Sequence, residues 1–174
     1  MSQISDLVAD RVRDVPDFPK PGVVFKDIAP LLADGVAFRT LVDDITGRYS
    51  GRVDVVAGIE ARGFIFGAPV ALALGLGFTP IRKAGKLPGD TIASSYSLEY
   101  GTAEVEVQAD AFTPGSRVLL IDDVLATGGT AAAACELIER AGAEVTGVEF
   151  VIELGFLNGR DRLADRPVNA VLTV

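Results

Sequence analysis

The sequence predicts an α/β domain, a central parallel sheet flanked by helices. Short runs rich in valine and isoleucine are almost continuously apolar, as strands covered on both faces must be. Segments of helical length lie between them, the alternation of an α/β chain. A length of 174 residues, 49% of them hydrophobic, suits one domain that buries roughly 70% of its unfolded surface in a single core. No internal repeat, low-complexity tract or linker divides it, so residues 1–174 read as one domain.

The elements follow in order. The opening MSQISDLVADRVRDV is amphipathic and charged and has no apolar signal-peptide core. Residues 14–34 carry Pro16, Pro19, Pro21 and Pro30 among aromatics, which predicts a shaped loop rather than a regular element. A helix is expected over Val36–Arg48 and a strand over Arg52–Ile59. Residues 63–81 carry no charge, long enough to raise a membrane span. Gly63, Gly67, Pro69, Gly75, Gly77 and Pro80 favour instead a buried helix over Phe64–Leu74, a glycine turn and a short strand at Thr79–Ile81. Residues 83–116 hold Gly85, Pro88, Gly89 and Gly101, then alternate apolar with polar over Ile92–Leu98 and Ala103–Val107. That predicts a loop and a two-stranded hairpin, an excursion of the kind that covers a site. Strands follow at Arg117–Ile121, Val145–Ile152 and Val168–Val174, with a helix over Thr130–Ala141 that stops at Gly142.

Composition excludes several chemistries. There is no histidine, hence no Ser-His-Asp or Cys-His catalysis, no histidine-ligated metal and no imidazole proton shuttle. Acid–base work falls to carboxylates, lysines, tyrosines or the substrate. The net charge of −8 is uneven: residues 1–87 sum to +1 and residues 88–174 to −9. An acidic chain with no basic stripe argues against nucleic acid and against anionic membrane surfaces as partners. A small anion feels only local charge, since screening is complete within about 10 Å. The single Cys135 forms no intrachain disulfide, which points to a reducing, cytoplasmic compartment. Following Ala131–Ala134 in a helix, it reads as a small buried apolar residue.

The densest chemical signal is Val118-Leu119-Leu120-Ile121-Asp122-Asp123-Val124-Leu125-Ala126-Thr127-Gly128-Gly129-Thr130. A buried strand delivers two carboxylates to its C-terminal end, where open α/β sheets bind ligands. Glycines then let backbone N–H groups approach an anion, a helix N-terminus adds its positive end, and Thr127 and Thr130 add hydroxyls. A phosphate is therefore expected in the 126–130 loop. Thr-Gly-Gly-Thr alone would be a helix-capping turn; the two acids upstream favour a phosphate-plus-hydroxyl ligand. Neither a P-loop nor a dinucleotide fingerprint fits, because no lysine follows the glycines and no Gly-x-Gly-x-x-Gly follows the first strand.

This segment resembles the phosphoribosyl-pyrophosphate motif of the type I phosphoribosyltransferase family. Four further segments narrow the resemblance to the adenine-using branch: Phe18–Ile28, Gly58-Ile59-Glu60-Ala61-Arg62-Gly63-Phe64, Arg82–Gly89 and Tyr96-Ser97-Leu98-Glu99-Tyr100-Gly101. The five motifs stand in order and the likeness runs from about residue 4 to about residue 163. It implies the family fold, with a small hood over about residues 1–34 and a mobile lid over about 83–103. It also implies transfer of a 5-phosphoribosyl group from its pyrophosphate to adenine, giving AMP and pyrophosphate in purine salvage.

The resemblance distributes roles. Ala126, Thr127, Gly128, Gly129 and Thr130 would hold the 5-phosphate. Asp122 and Asp123 would accept hydrogen bonds from the ribose hydroxyls and favour the positive charge that grows as the C1–O bond breaks. Glu60, Ala61, Arg62, Arg82, Lys83 and Lys86 would serve the pyrophosphate, with a non-proline cis peptide expected at Glu60–Ala61. Read without the family, Arg82, Lys83 and Lys86 remain a solvated charge run. Mg²⁺ is the implied cofactor, held by substrate oxygens and water with no dedicated protein ligands except Asp122 or Asp123. Val24 and Phe25 would take the base, Lys26 would border it and Leu154 would touch it; the residues alone leave core packing equally open for Val24 and Phe25. Glu99 would be the general acid, protonating adenine N7 as N9 bonds to the sugar, and Tyr100 would position the closed lid. A free glutamate, near about 4.3, is ionised at neutral pH, so desolvation against adenine must raise it. Read from the residues alone, Glu99 is an exposed hairpin carboxylate. A basic residue near Lys83 reaches the neighbouring subunit in this family, which implies a homodimer. The chain departs from some relatives at Lys26, where they have arginine, and at Glu60-Ala61, where they have Asp-Ser. The competing expectations are a non-catalytic regulator of the same fold, a phosphorelay receiver domain, and a transferase using hypoxanthine, guanine or orotate.

Overall fold

A computed structural model describes residues 3–97, 102–163 and 165–174. Its seven-stranded sheet is ordered β5-β6-β4-β3-β7-β8-β9, from β3 (Val55–Ile59), β4 (Gly77–Lys83), β5 (Thr91–Ser97), β6 (Thr102–Gln108), β7 (Arg117–Leu125), β8 (Glu144–Glu153) and β9 (Val168–Thr173). The run β4-β3-β7-β8-β9 is parallel, while β6 joins β4 and β5 antiparallel. Helices α3 (Gly35–Tyr49), α4 (Arg62–Leu74) and α5 (Gly129–Arg140) cover it.

The continuous apolar runs now have a cause. Along β7, Val118 and Leu120 belong to the core under α5, whereas Leu119 and Ile121 belong to the core with α3 and α4. Alternate side chains meet different but equally dry layers, so the strand shows no polar side. Asp34 starts α3 by accepting the N–H groups of Val36 and Ala37 at 3.1 and 3.0 Å. The uncharged stretch resolves into α4, a turn at Gly75 and β4. Among the described residues no helix is long and apolar enough to cross a membrane. Cys135 is fully buried, as a small apolar residue would be.

Two expectations need correction. Residues 14–34 are not an irregular loop: β1 (Arg13–Pro16) pairs antiparallel with β2 (Val24–Asp27), and a short helix α2 (Ala29–Ala33) follows. The prolines punctuate these elements. Pro16 ends a strand of a two-stranded ribbon, where a missing N–H costs little, and Pro30 stands in the first turn of α2. Nor is the whole 83–103 segment an excursion from the domain. The hairpin is built into the sheet edge through Arg82↔Glu106 and Lys83↔Val105, and Val105 and Val107 are buried. Its tip, including Glu99 and Tyr100, lies outside the described residues.

One charge interrupts the apolar run Val145–Ile152. Glu149 is fully buried and accepts from Arg48 Nη1 at 2.7 Å, Tyr49 Oη at 3.0 Å and Asn169 Nδ2 at 2.8 Å. A buried carboxylate survives because each of its oxygens is matched to at least one donor and a guanidinium balances its charge.

Candidate active site

The C-terminal ends of the parallel strands converge on one cavity of about 450 Å³. The ribbon β1–β2 roofs it with Val24, Phe25 and Lys26; the β3–α4 junction supplies Glu60, Ala61 and Arg62; Asp122 and Asp123 come from β7 and Leu154 from beyond β8. Lys83, Ala126 and Thr130 complete this group of expected residues. Asp122, Ala126 and Thr130 also line an adjoining cavity of about 80 Å³, closed by Thr127, Gly128 and Gly129. The larger cavity combines apolar walls with convergent charged groups, as a site for a charged small molecule would; the smaller is edged by the start of α5, where helix N–H groups have no intrahelical partner.

Charge is organised around Asp123, which is 3% exposed. Arg62 Nε lies 2.7 Å from Asp123 Oδ2, but off the hydrogen-bonding direction, so this buried oxygen lacks a donor. The Arg62 guanidinium also lies 5.5 Å from the centre of the Phe25 ring, tying the roof to the floor. Asp122 Oδ1 accepts the N–H of Asp123 at 2.9 Å. Burial, and then the neighbouring Asp123 charge, push the Asp122 carboxyl well above the usual carboxylate range. Burial raises Asp123 as well, against the pull of Arg62.

Those raised values imply a cost to the folded state of the free protein. A carboxyl whose folded pKa exceeds its unfolded value of about 4 penalises the fold at higher pH, and the penalty vanishes as pH falls to the unfolded value. Asp122→Asn keeps the acceptor for the Asp123 N–H and removes one charge. Its Tm at pH 7 is expected to equal or exceed that of the parent, with any gain shrinking toward pH 4. A Tm clearly below the parent's at pH 7 refutes the electrostatic assignment.

Not every expected residue lines the cavity. Arg82 and Lys86 turn to Glu60: Arg82 Nε is 2.7 Å and Lys86 Nζ 3.3 Å from its carboxylate, which also accepts the Lys83 N–H at 2.9 Å. Burial works to raise the Glu60 carboxyl, but these donors outweigh it and hold it below its usual range. The expected cis peptide is present at Glu60–Ala61. Leu98–Gly101, with Glu99 and Tyr100, are outside the described residues.

Sequence reasoning assigned no role to five contributors. Val23, Ile59, Tyr96 and Val124 line the main cavity; Tyr96 stood in the alternating strand and in the Tyr96–Gly101 motif without a role of its own. The fifth is Gly159. Gly128 holds φ +79°, and a Cβ there would sit 2.3 Å from the Gly159 carbonyl oxygen. A Cβ on Gly159 would sit 2.2 Å from the Ala126 carbonyl oxygen. The phosphate loop and the 158–160 turn therefore touch backbone to backbone, which only glycine permits. Nothing in the local spelling Asn158-Gly159 signals that approach.

Known proteins share this arrangement. The phosphoribosyl transferase domain family matches residues 30–166. A Thermobifida fusca protein named adenine phosphoribosyltransferase is 59% identical over 99% of each chain. A Salinispora tropica protein of the same name is 60% identical over 99% of this chain and 92% of its own. The crystal structure of adenine phosphoribosyltransferase from Thermoanaerobacter pseudethanolicus superposes with a TM-score of 0.93 at 44% identity, over 97% of this chain and 99% of the other. The Saccharomyces cerevisiae enzyme, complexed with an imino-altritol bisphosphate and adenine, gives 0.94 at 39% identity over 98% and 99%.

Proposed function

The chain belongs to the phosphoribosyltransferase family and, within it, to the adenine phosphoribosyltransferases, and from that premise we infer that it transfers the 5-phosphoribosyl group of phosphoribosyl pyrophosphate to adenine. The observation that carries the residue assignment is the pair of joined cavities: a glycine-rich phosphate cradle opens beside two elevated-pKa aspartates into a half-apolar chamber under Phe25.

The residue roles follow from chemistry. N–H groups of the 126–130 loop and the hydroxyls of Thr127 and Thr130 hold the 5-phosphate. The donorless Oδ2 of Asp123 and the carboxylate of Asp122 accept the sugar hydroxyls. The same two charges favour the cationic sugar as the C1–O bond to pyrophosphate breaks and the C1–N9 bond to adenine forms. In the free protein Arg62 offsets Asp123; with substrate bound its guanidinium serves the pyrophosphate. Lys83 lines the same chamber, and Arg82 and Lys86 are gathered beside it by Glu60, which lines it too. Phe25 and Val24 hold the flat face of adenine, bordered by Lys26 and Leu154. Glu99 is the residue assigned to protonate N7, with Tyr100 beside it on the lid.

Mg²⁺ belongs to this reading. Adjacent carboxylates, one oxygen of which is buried without a donor, suit a hard cation whose other positions stay with substrate oxygens and water, so Asp122 and Asp123 are the residues to hold it. When bound, it supplies charge neutralisation for the leaving pyrophosphate.

The reaction is tested by mixing the protein, Mg²⁺ and phosphoribosyl pyrophosphate with adenine, hypoxanthine, guanine and orotate in turn. AMP from adenine, with no nucleotide from the other bases, is the expected result; product from a 6-oxopurine alone overturns the specificity. The cytoplasm is the location consistent with an intracellular substrate and an unpaired cysteine. A homodimer completes the reading: Val36 and Leu72, 78% and 82% exposed, line an apolar groove with Phe38 and Pro69 that a second copy would cover. Light scattering at twice the chain mass supports this, and a monomer at micromolar concentration ends it.

A further inference from the structure

We propose that Arg160, locked to Glu153, is a positioning residue for the 5-phosphate cradle: it clamps the 158–160 turn as a backbone wall behind Gly128. The inference rests on the phosphoribosyl-transfer reading and adds to it two residues that touch neither cavity.

The chain of contacts runs from the sheet to the cradle. Glu153 is the last residue of β8 and 6% exposed. Arg160 Nε donates to both its carboxylate oxygens, at 2.7 and 2.9 Å, and Arg160 Nη1 donates to the Val168 carbonyl at 2.8 Å. One guanidinium thus pins the turn to β8 and to the start of β9. A planar fork does this where a lysine point charge would not, because its donors diverge toward two acceptors at fixed angles. Between these anchored ends lies Gly159, buried, with its carbonyl against Gly128 and its α-carbon against the Ala126 carbonyl.

This contact matters for the cradle. The N–H groups of 127–130 are useful to a phosphate only while they converge on one point, and Gly128 holds them there through a left-handed backbone, φ +79°. On this side the Gly159 backbone is the nearest support behind Gly128, with the Arg162 Cβ next to it. If the turn drifts outward, the loop relaxes after it and the donors diverge. Asn158 leads into the turn in the left-handed region, φ 51°. The clamp sits on the far side, so its loss should be felt by ligands carrying a 5-phosphate and not by ligands that use the rest of the site.

That asymmetry is the test. The full-length protein is assayed in both directions, giving KM for phosphoribosyl pyrophosphate and adenine forward, and for AMP and pyrophosphate in reverse. Arg160→Met should raise KM for the two 5-phosphate ligands about tenfold, less than the roughly 100-fold that a full ångström of misplacement costs. KM for adenine and pyrophosphate should stay at the parent values, and kcat at saturation should change little. Arg160→Lys, which keeps the charge and one donor, should recover part of the loss. Because Arg160→Met leaves Glu153 buried and uncompensated, the double variant Glu153→Gln with Arg160→Met is measured beside it; it should fold, by circular dichroism and Tm, and show the same split. Folded variants with parent KM for phosphoribosyl pyrophosphate and AMP overturn the proposal. So does an equal rise in all four KM values, which would mark general loosening. Failure of the parent protein to make AMP would instead refute the underlying reading.

Discussion

Gly128→Ala is expected to abolish productive binding of phosphoribosyl pyrophosphate while leaving the protein folded. Two costs act together. An alanine at φ +79° sits in a region that costs a residue with a side chain about 1–3 kcal/mol. Its methyl would also lie 2.3 Å from the Gly159 carbonyl oxygen and 3.1 Å from the Gly159 carbonyl carbon, both backbone atoms. A flexible side chain could swing aside, but a backbone carbonyl moves only if the loop or the turn moves. Relaxation therefore pulls the N–H groups apart at the one place where they must converge. A loss of about 100-fold or more in kcat/KM for phosphoribosyl pyrophosphate follows from displacement on that scale. Far-ultraviolet circular dichroism should be unchanged, because the loop carries little of either core. Kinetics within a few-fold of the parent's would show that the phosphate is held elsewhere.

Glu99→Gln is expected to act on the chemical step. Removing a general acid costs about 100- to 10,000-fold in kcat, because glutamine has the shape and hydrogen-bonding capacity of the acid but no proton to give. KM for phosphoribosyl pyrophosphate should barely move, since the phosphate cradle and Asp122–Asp123 are separate from the lid. No histidine exists anywhere in the chain to take over the role. An unchanged kcat would remove Glu99 from the mechanism and leave proton handling to the substrate and solvent. The two variants are thus predicted to fail in opposite terms, one in KM and one in kcat, and the contrast itself can be measured in a single assay.

Much of this protein was legible before any coordinates. The runs at β3, β7, β8 and β9 read as doubly covered strands because valine and isoleucine crowd them on both faces. The Asp122–Thr130 segment read as a phosphate and hydroxyl site because acids, threonines and glycines fall together where a strand ends and a helix starts. The hood read wrongly as a loop, because proline density was taken to exclude structure. In a two-stranded ribbon and a first helical turn a proline displaces no needed donor. Without the family, Arg82 and Lys86 read as part of a solvated charge run, because charge counts cannot show that Glu60, 22 residues away from Arg82 in sequence, gathers them. The Glu149 cluster was equally invisible, since its donors Arg48 and Tyr49 lie about a hundred residues away.

The division between the two sources is physical. Periodicity, glycine placement and residue chemistry are local, and local information determined the fold class, the edge of the sheet where the cavity lies and the exclusion of imidazole chemistry. Tertiary structure decided whatever depends on distant segments meeting in a dry interior. It placed Arg62 against Asp123 and Phe25, raised the pKa of the two aspartates through burial, and set Gly159 behind Gly128 with Arg160 and Glu153 holding it there. Those effects arise from desolvation and close approach, and neither exists along an extended chain.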